Sequence, residues 1–256
     1  MLHGFTPPFT PRGLASLLPP PPWHYAGWLL NVEFECDQAR AAGFVPASVG
    51  AATGRGTIHF SDWQATTDGS ELLDPIQSQY RETIVVLELA RPDGTLANFC
   101  PLIYVDQDVS MLRGQIQGWP KKMGSTWLTR SLPLDHPAAA PLRAGTRLGA
   151  TLAVKDRRLV EARLELTGRP GEALGFVVRP TYGTVGFPDL TRPERAPELR
   201  HLRSVVTGRV GEAWHEARAE LAFLETPREE LADLRLRGAT RASVGWLGIT
   251  ITGAAE

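Results

Sequence analysis

Glycine and proline, 25 and 21 of 256 residues, interrupt this chain roughly every 10–20 residues. Little room is left for long helices. The runs between breaks are short and apolar or alternating, the pattern of strands with at least one buried face. Trp28–Glu35 (WLLNVEFE) and Thr57–Gln64 (TIHFSDWQ) read as half-buried strands. Glu82–Ala90 and Thr95–Val105 flank the turn sequence Arg91-Pro92-Asp93-Gly94 and read as a hairpin. Leu148–Val154 and Leu159–Thr167, joined by Lys155-Asp156-Arg157-Arg158, read as a second. Later strands are expected at Leu202–Val210, Glu216–Phe223 and Ala242–Thr252. Three short helices are expected. One is Gln38–Ala42, capped by Asp37; a second is Asp108–Gln117, capped by Asp108, with Val109, Leu112 and Ile116 on one face. The third is Arg228–Arg235, after Thr226-Pro227. Many strands, few helices and no βαβ alternation predict a mainly β chain, an antiparallel sheet forming a sandwich or barrel. Neither a repeat nor a linker follows residue 23. The expected organisation is one domain over 23–256, preceded by a proline-rich arm, 1–22, that is poorly ordered or extended.

The formal net charge is −1, so no nucleic-acid or anionic-membrane partner is expected. No run of about 18 apolar residues and no secretory leader pattern is present, which makes the cytoplasm the default location. The six histidines show no HxH, HxxxH or HExxH spacing, and Cys36 and Cys100 have no metal-type spacing, so no metal site is expected.

The chemical signal lies in the basic residues. Of 27, only Lys121, Lys122 and Lys155 are lysines. Two stand together in Gly118-Trp119-Pro120-Lys121-Lys122-Met123-Gly124, which contains no carboxylate. Arginine stays protonated, whereas lysine loses its proton when desolvated or crowded by another cation. An ordinary lysine, with a pKa near 10.4, has well under ~1% free amine at neutral pH. Bringing that value near 7 requires roughly 5 kcal/mol of destabilisation of the ammonium, within the range that burial supplies. Adjacent side chains in an extended segment point to opposite faces, so desolvation should outweigh Lys122. Pro120 stiffens the backbone that presents Lys121. Spacing alone favours a solvated surface pair, which is what most Lys-Lys pairs are.

The run Tyr104-Val105-Asp106-Gln107-Asp108 through Gly118-Trp119-Pro120-Lys121-Lys122 resembles the signature of the acetoacetate decarboxylase-like superfamily. Gly27–Phe34 resembles its first core strand, Gln79-Tyr80-Arg81-Glu82 its tyrosine-x-glutamate motif, and Trp214–Leu234 its late strand, turn and helix. The resemblance implies a cone-like, mostly antiparallel β-barrel, homo-oligomeric assembly, and Lys121 as an imine-forming lysine with Lys122 as its pKa-modulating neighbour. Acetoacetate decarboxylase is itself the standing example of a lysine activated in this way. Glu82 corresponds to the family's active-site glutamate, suited to moving a proton or orienting the amine.

The chain departs from the decarboxylase pattern in three places. Gly27 stands where the family carries an arginine associated with the substrate carboxylate. Ser61 stands where it carries a second glutamate, with Asp62 adjacent. Arg113-Gly114-Gln115 replaces its Gly-Arg-Glu. The combination is closer to a divergent branch associated with pyruvate aldol condensation and dehydration. In that branch Gln117 occupies the place of a polar contact to the oxo acid. Gln117, Trp119, Gln115 and Asp62 are therefore the expected substrate-facing residues, and Trp63 is expected to pack in the core. A protonated imine is an electron sink for decarboxylation and aldol chemistry alike, and no external cofactor is required. The expected activity is that of a Schiff-base lyase acting on a small oxo acid such as pyruvate or acetoacetate. A non-catalytic barrel binding a carbonyl metabolite is the alternative.

Overall fold

Four long strands open the computed structural model, which describes residues 1–211 and 213–256. They are β1 (Trp23–Glu35), β2 (Ala51–Thr66), β3 (Gln79–Ala90) and β4 (Leu96–Val105), each antiparallel to the one before. The expected Arg91–Gly94 turn joins β3 to β4, with Gly94 at φ +82° and its amide donating to the Arg91 carbonyl. The half-buried reading of β1 is corrected: every residue from Trp28 to Phe34 is buried. Trp28, Leu30, Val32 and Phe34 belong to one core, Leu29 to another, so both faces of the strand are covered.

Beyond β4 come helix α1 (Asp108–Gln117) and the short strands β5 (Lys121–Met123) and β6 (Ser125–Leu128). Then follow β7 (Arg147–Val154), β8 (Arg157–Pro170), β9 (Thr181–Val185), β10 (Arg200–Val210), β11 (Trp214–Phe223) and β12 (Gly238–Ala255). The β7–β8 turn is tighter than the four residues expected, because Lys155 and Asp156 both take positive φ, 48° and 63°, as a two-residue hairpin requires. The sheet closes on itself: β1-β2-β3-β4-β9-β10-β12 form a ring through pairing of β12 with β1. The opposite edge of β12 is shared, pairing with β11 through Ala242–Gly245 and with β10 through Gly248–Ala255. From β11 the sheet continues through β8 and β7 to β6 and encloses the largest core with β1–β4. The mainly β, closed-sheet architecture expected from the sequence is present. Two parallel pairings, β4 with β5 and β4 with β9, interrupt the antiparallel pattern.

The helix expectations need amendment. Gln38–Ala42 is helical with Asp37 capping Arg40 N–H, as expected. The cap of α1 is Gln107, not Asp108: its side chain accepts from Ser110 N–H. Arg228–Arg235 is not an α-helix. A tight turn pairs Thr226 with Glu229, Arg228 takes φ +66°, and only a 3₁₀ turn, Leu231–Leu234, follows, its two leucines buried in the main core. Before β1, His3 and Thr10 form a backbone bridge, Ser16 bonds to Thr6 and Leu18, and Leu18 is fully buried. Among the described residues no helix is long and apolar enough to cross a membrane.

Candidate active site

The chain leaves the ring at Val105, runs through α1, and returns as β5 alongside β4, with Lys121 opposite Ile103 and Lys122 opposite Tyr104. The helix stops at Gly118, whose φ of +95° lets its amide reach back to the Gly114 carbonyl. At Gly183 of β9 a Cβ would lie 1.8 Å from the Gly118 oxygen, so helix end and ring wall meet backbone to backbone. Pro120 and the strand pleat then turn Lys121 into the ring and Lys122 out of it. Lys122 Nζ is 2.7 Å from Glu229, which also accepts from the Tyr104 hydroxyl at 2.8 Å.

The stem of Lys121 crosses α1 where the helix has no side chain. A Cβ on Gly114 would lie 2.3 Å from Lys121 Cδ. The amine ends 2.9 Å from Glu82 Oε2 and donates to Ser110 Oγ at 2.9 Å, with the Tyr80 ring centroid 5.2 Å away. Lys121 is 9% exposed and Glu82 4%. Burial is the largest influence on the amine and lowers its pKa from the ordinary lysine value; Glu82 opposes, and the Arg113 guanidinium lowers it further. The second cation acting on Lys121 is thus Arg113, across the site, while Lys122 is engaged on the far face. Arg113 lies over the rings of Trp23 and Tyr25, 5.5 Å from each centroid. Burial keeps the Tyr25 and Tyr80 hydroxyls protonated, both titrating above the ordinary phenol range.

A cavity of about 290 Å³ leads from this amine to the surface. Its buried end holds Lys121, Glu82, Tyr80, Tyr25, Trp63 and Gln117. Gln117 is fixed in orientation, since its amide nitrogen donates to the Arg113 carbonyl at 2.8 Å and its oxygen accepts from Ser204 Oγ at 3.1 Å. Trp119 donates to the same hydroxyl at 3.0 Å and lines the cavity.

Lys121, Glu82, Gln117 and Trp119 thus come together. Asp62 and Gln115 do not join them. Asp62 projects from the outer face of β2 to Arg130, 2.5 Å away, because its neighbours Ser61 and Trp63 occupy the inner face. Gln115 turns back to the Lys121 carbonyl at 3.2 Å and acts on the backbone alone. Trp63, expected in the core, lines the cavity and also packs edge-on against Tyr25. It explains Gly27 as well: a Cβ there would lie 2.3 Å from Trp63 Cε3, so no larger residue fits beside the indole. Ser110 and Arg113 were missed as site residues. With Gly114 and Gln117 they make an i, i+3, i+4, i+7 stripe, the buried face of α1. That stripe displaces the apolar face expected from Val109, Leu112 and Ile116, of which only Val109 is buried.

The chain as a whole is similar to known proteins. The family profile described as acetoacetate decarboxylase (ADC) matches residues 5–255. No curated protein sequence matches. Among solved structures, the enduracididine biosynthesis enzyme MppR, complexed with the condensation product of pyruvate and imidazole 4-carboxaldehyde, superposes with a TM-score of 0.91 at 27% identity. That match covers 100% of this chain and 96% of MppR. MppR complexed with pyruvate gives 0.90 at 27% identity, over 100% and 97% of the two chains. An acetoacetate decarboxylase-like enzyme from Sphingomonas wittichii RW1 gives 0.87 at 25% identity over 99% of each chain. Acetoacetate decarboxylase from Legionella pneumophila, at 15% identity and a TM-score of 0.76 over 99% and 95%, shares the fold. With the profile spanning nearly every residue, from the arm to the end of β12, the chain belongs to the acetoacetate decarboxylase family.

Proposed function

We propose that the chain is a Schiff-base lyase of the aldolase–dehydratase type, joining a small 2-oxo acid to an aldehyde through Lys121. The observation that carries this reading is the placement of Lys121 Nζ, buried at the end of a cavity between Glu82 and Ser110. Burial favours the neutral amine, which adds to the ketone carbon of the oxo acid; the carbinolamine then loses water to give a protonated imine. Glu82, 2.9 Å from the amine, is suited to accept the proton removed from the carbon next to the imine. The resulting enamine carbon attacks the aldehyde carbon, and the aldehyde oxygen takes up a proton. Loss of a second α-proton together with that hydroxyl releases water and leaves the conjugated imine. Hydrolysis returns Lys121 and frees an unsaturated oxo acid. The Tyr25 and Tyr80 hydroxyls, held as phenols, are suited to donate to the oxo acid's oxygens.

Two observations favour condensation over acetoacetate decarboxylation: the 27% identity to MppR, and the Gly27–Trp63 contact, which leaves no room for a side chain where the resemblance places the family arginine. The test is borohydride trapping with pyruvate, followed by mass mapping of the reduced adduct. An adduct on Lys121, with enone absorbance growing when an aldehyde is added, supports the reading. CO2 release from acetoacetate without enone formation would assign decarboxylation instead. No adduct with any oxo acid would leave a binding barrel.

A further inference from the structure

The cavity is chemically uneven along its length. At the buried end stand Lys121 and Glu82, the only carboxylate lining the cavity among the described residues. Trp119, Phe176, Ile249 and Ile251 contribute apolar wall. Arg179, Arg203 and Arg209 stand toward the surface. Arg179 is already engaged, its Nη1 2.5 Å from the buried Glu88 carboxylate. Arg203 is half-buried and Arg209 exposed, and among the described residues neither has an ion-pair partner. Arg203 precedes Ser204, whose hydroxyl links Trp119 to Gln117, so its backbone is tied to the inner site. Guanidinium groups lining a cavity and lacking a counter-charge among the described residues suit recognition of a carboxylate or phosphate.

Resting on the condensation reading above, we infer that the aldehyde partner is an anion: its carbonyl meets the enamine at Lys121, a short apolar stretch packs against the apolar wall, and a terminal carboxylate or phosphate reaches Arg203 and Arg209. The positive rim also steers anionic substrates inward, an effect that salt screens.

The experiment uses the full chain with pyruvate as donor and two acceptors matched in length, 4-oxobutanoate and butanal. The wild type should show at least a tenfold higher kcat/KM for 4-oxobutanoate than for butanal, declining with ionic strength. The Arg203→Ala/Arg209→Ala variant should lose that preference, chiefly through KM, while pyruvate trapping still maps to Lys121. Equal rates for the two acceptors in the wild type would overturn the inference, as would a preference that survives in the variant. Loss of pyruvate trapping in the variant would also overturn it, by assigning the arginines to the donor's own carboxylate. If the wild type traps no pyruvate, the condensation reading itself falls. Calorimetric binding of 4-oxobutanoate that is lost in the Arg203→Ala variant would still support the anion site, and its absence in the wild type would refute it.

Discussion

The aliphatic stem of Lys121 passes over the bare Cα of Gly114, and the two residues have exclusive claim to the same space. A methyl group at 114 would lie within 2.3–2.6 Å of Lys121 Cγ, Cδ and Cε. Alanine in a helix interior gains about 1 kcal/mol over glycine, while overpacking costs typically 1–3 kcal/mol. Gly114→Ala should therefore lower stability only slightly, by 0–2 kcal/mol on these magnitudes. Displacement of the amine by about 1 Å should reduce kcat on the order of 10²-fold. Thermal unfolding beside steady-state kinetics checks the split, and a variant with wild-type kcat would contradict it.

Lys121→Arg sets a permanent cation beside Glu82 and removes the nucleophile. It should fold, as judged by circular dichroism, and form no borohydride-trapped adduct, with condensation at background level. Turnover by this variant would remove the covalent mechanism.

The pH dependence of adduct formation separates the neighbours of the amine. Burial lowers the Lys121 pKa, so the rate should rise through a midpoint below the ordinary lysine value of 10.5. Glu82 opposes that shift; Glu82→Gln should therefore move the midpoint to still lower pH while slowing every proton transfer. A midpoint moving upward in this variant would invert the electrostatic account.

Lys122 gives the complementary control. Its amine is bonded to Glu229 on the face away from the cavity, and its side chain is 44% exposed. Lys122→Met should leave the pH midpoint of adduct formation in place and lower stability by more than the roughly 0.2–1 kcal/mol of an exposed ion pair, because the Glu229 side chain is only 10% exposed. A clear shift of the midpoint in this variant would restore Lys122 as the modulating cation.

The reach of the sequence follows from the range of the forces involved. Turns and alternation are local, so the β3–β4 and β7–β8 hairpins and the later strands stand where periodicity placed them. The Pro-Lys-Lys segment and Glu82 stood out through the family resemblance, and the fold brings Lys121 and Glu82 within 2.9 Å of each other. Asp62 failed because the face it takes depends on the pleat register of β2 against β1 and β3, which a single sequence does not reveal. Arg113 failed because a buried arginine in a helix looks like any surface arginine until Trp23 and Tyr25, distant in sequence, are folded onto it. The α-helix expected at Arg228–Arg235 gave way to a turn because Glu229 is drawn to Lys122 and Tyr104, a long-range demand that local propensity does not contain.

The shared edge of β12 has a thermodynamic consequence. One continuous backbone supplies ladder partners to the closed ring through β1 and β10 and to the outlying sheet through β11. Neither half can melt without stripping the other of a neighbour, so the molecule should denature in one concerted transition. Ligand seated beside Lys121 should then slow amide exchange as far away as β8, where no atom touches it.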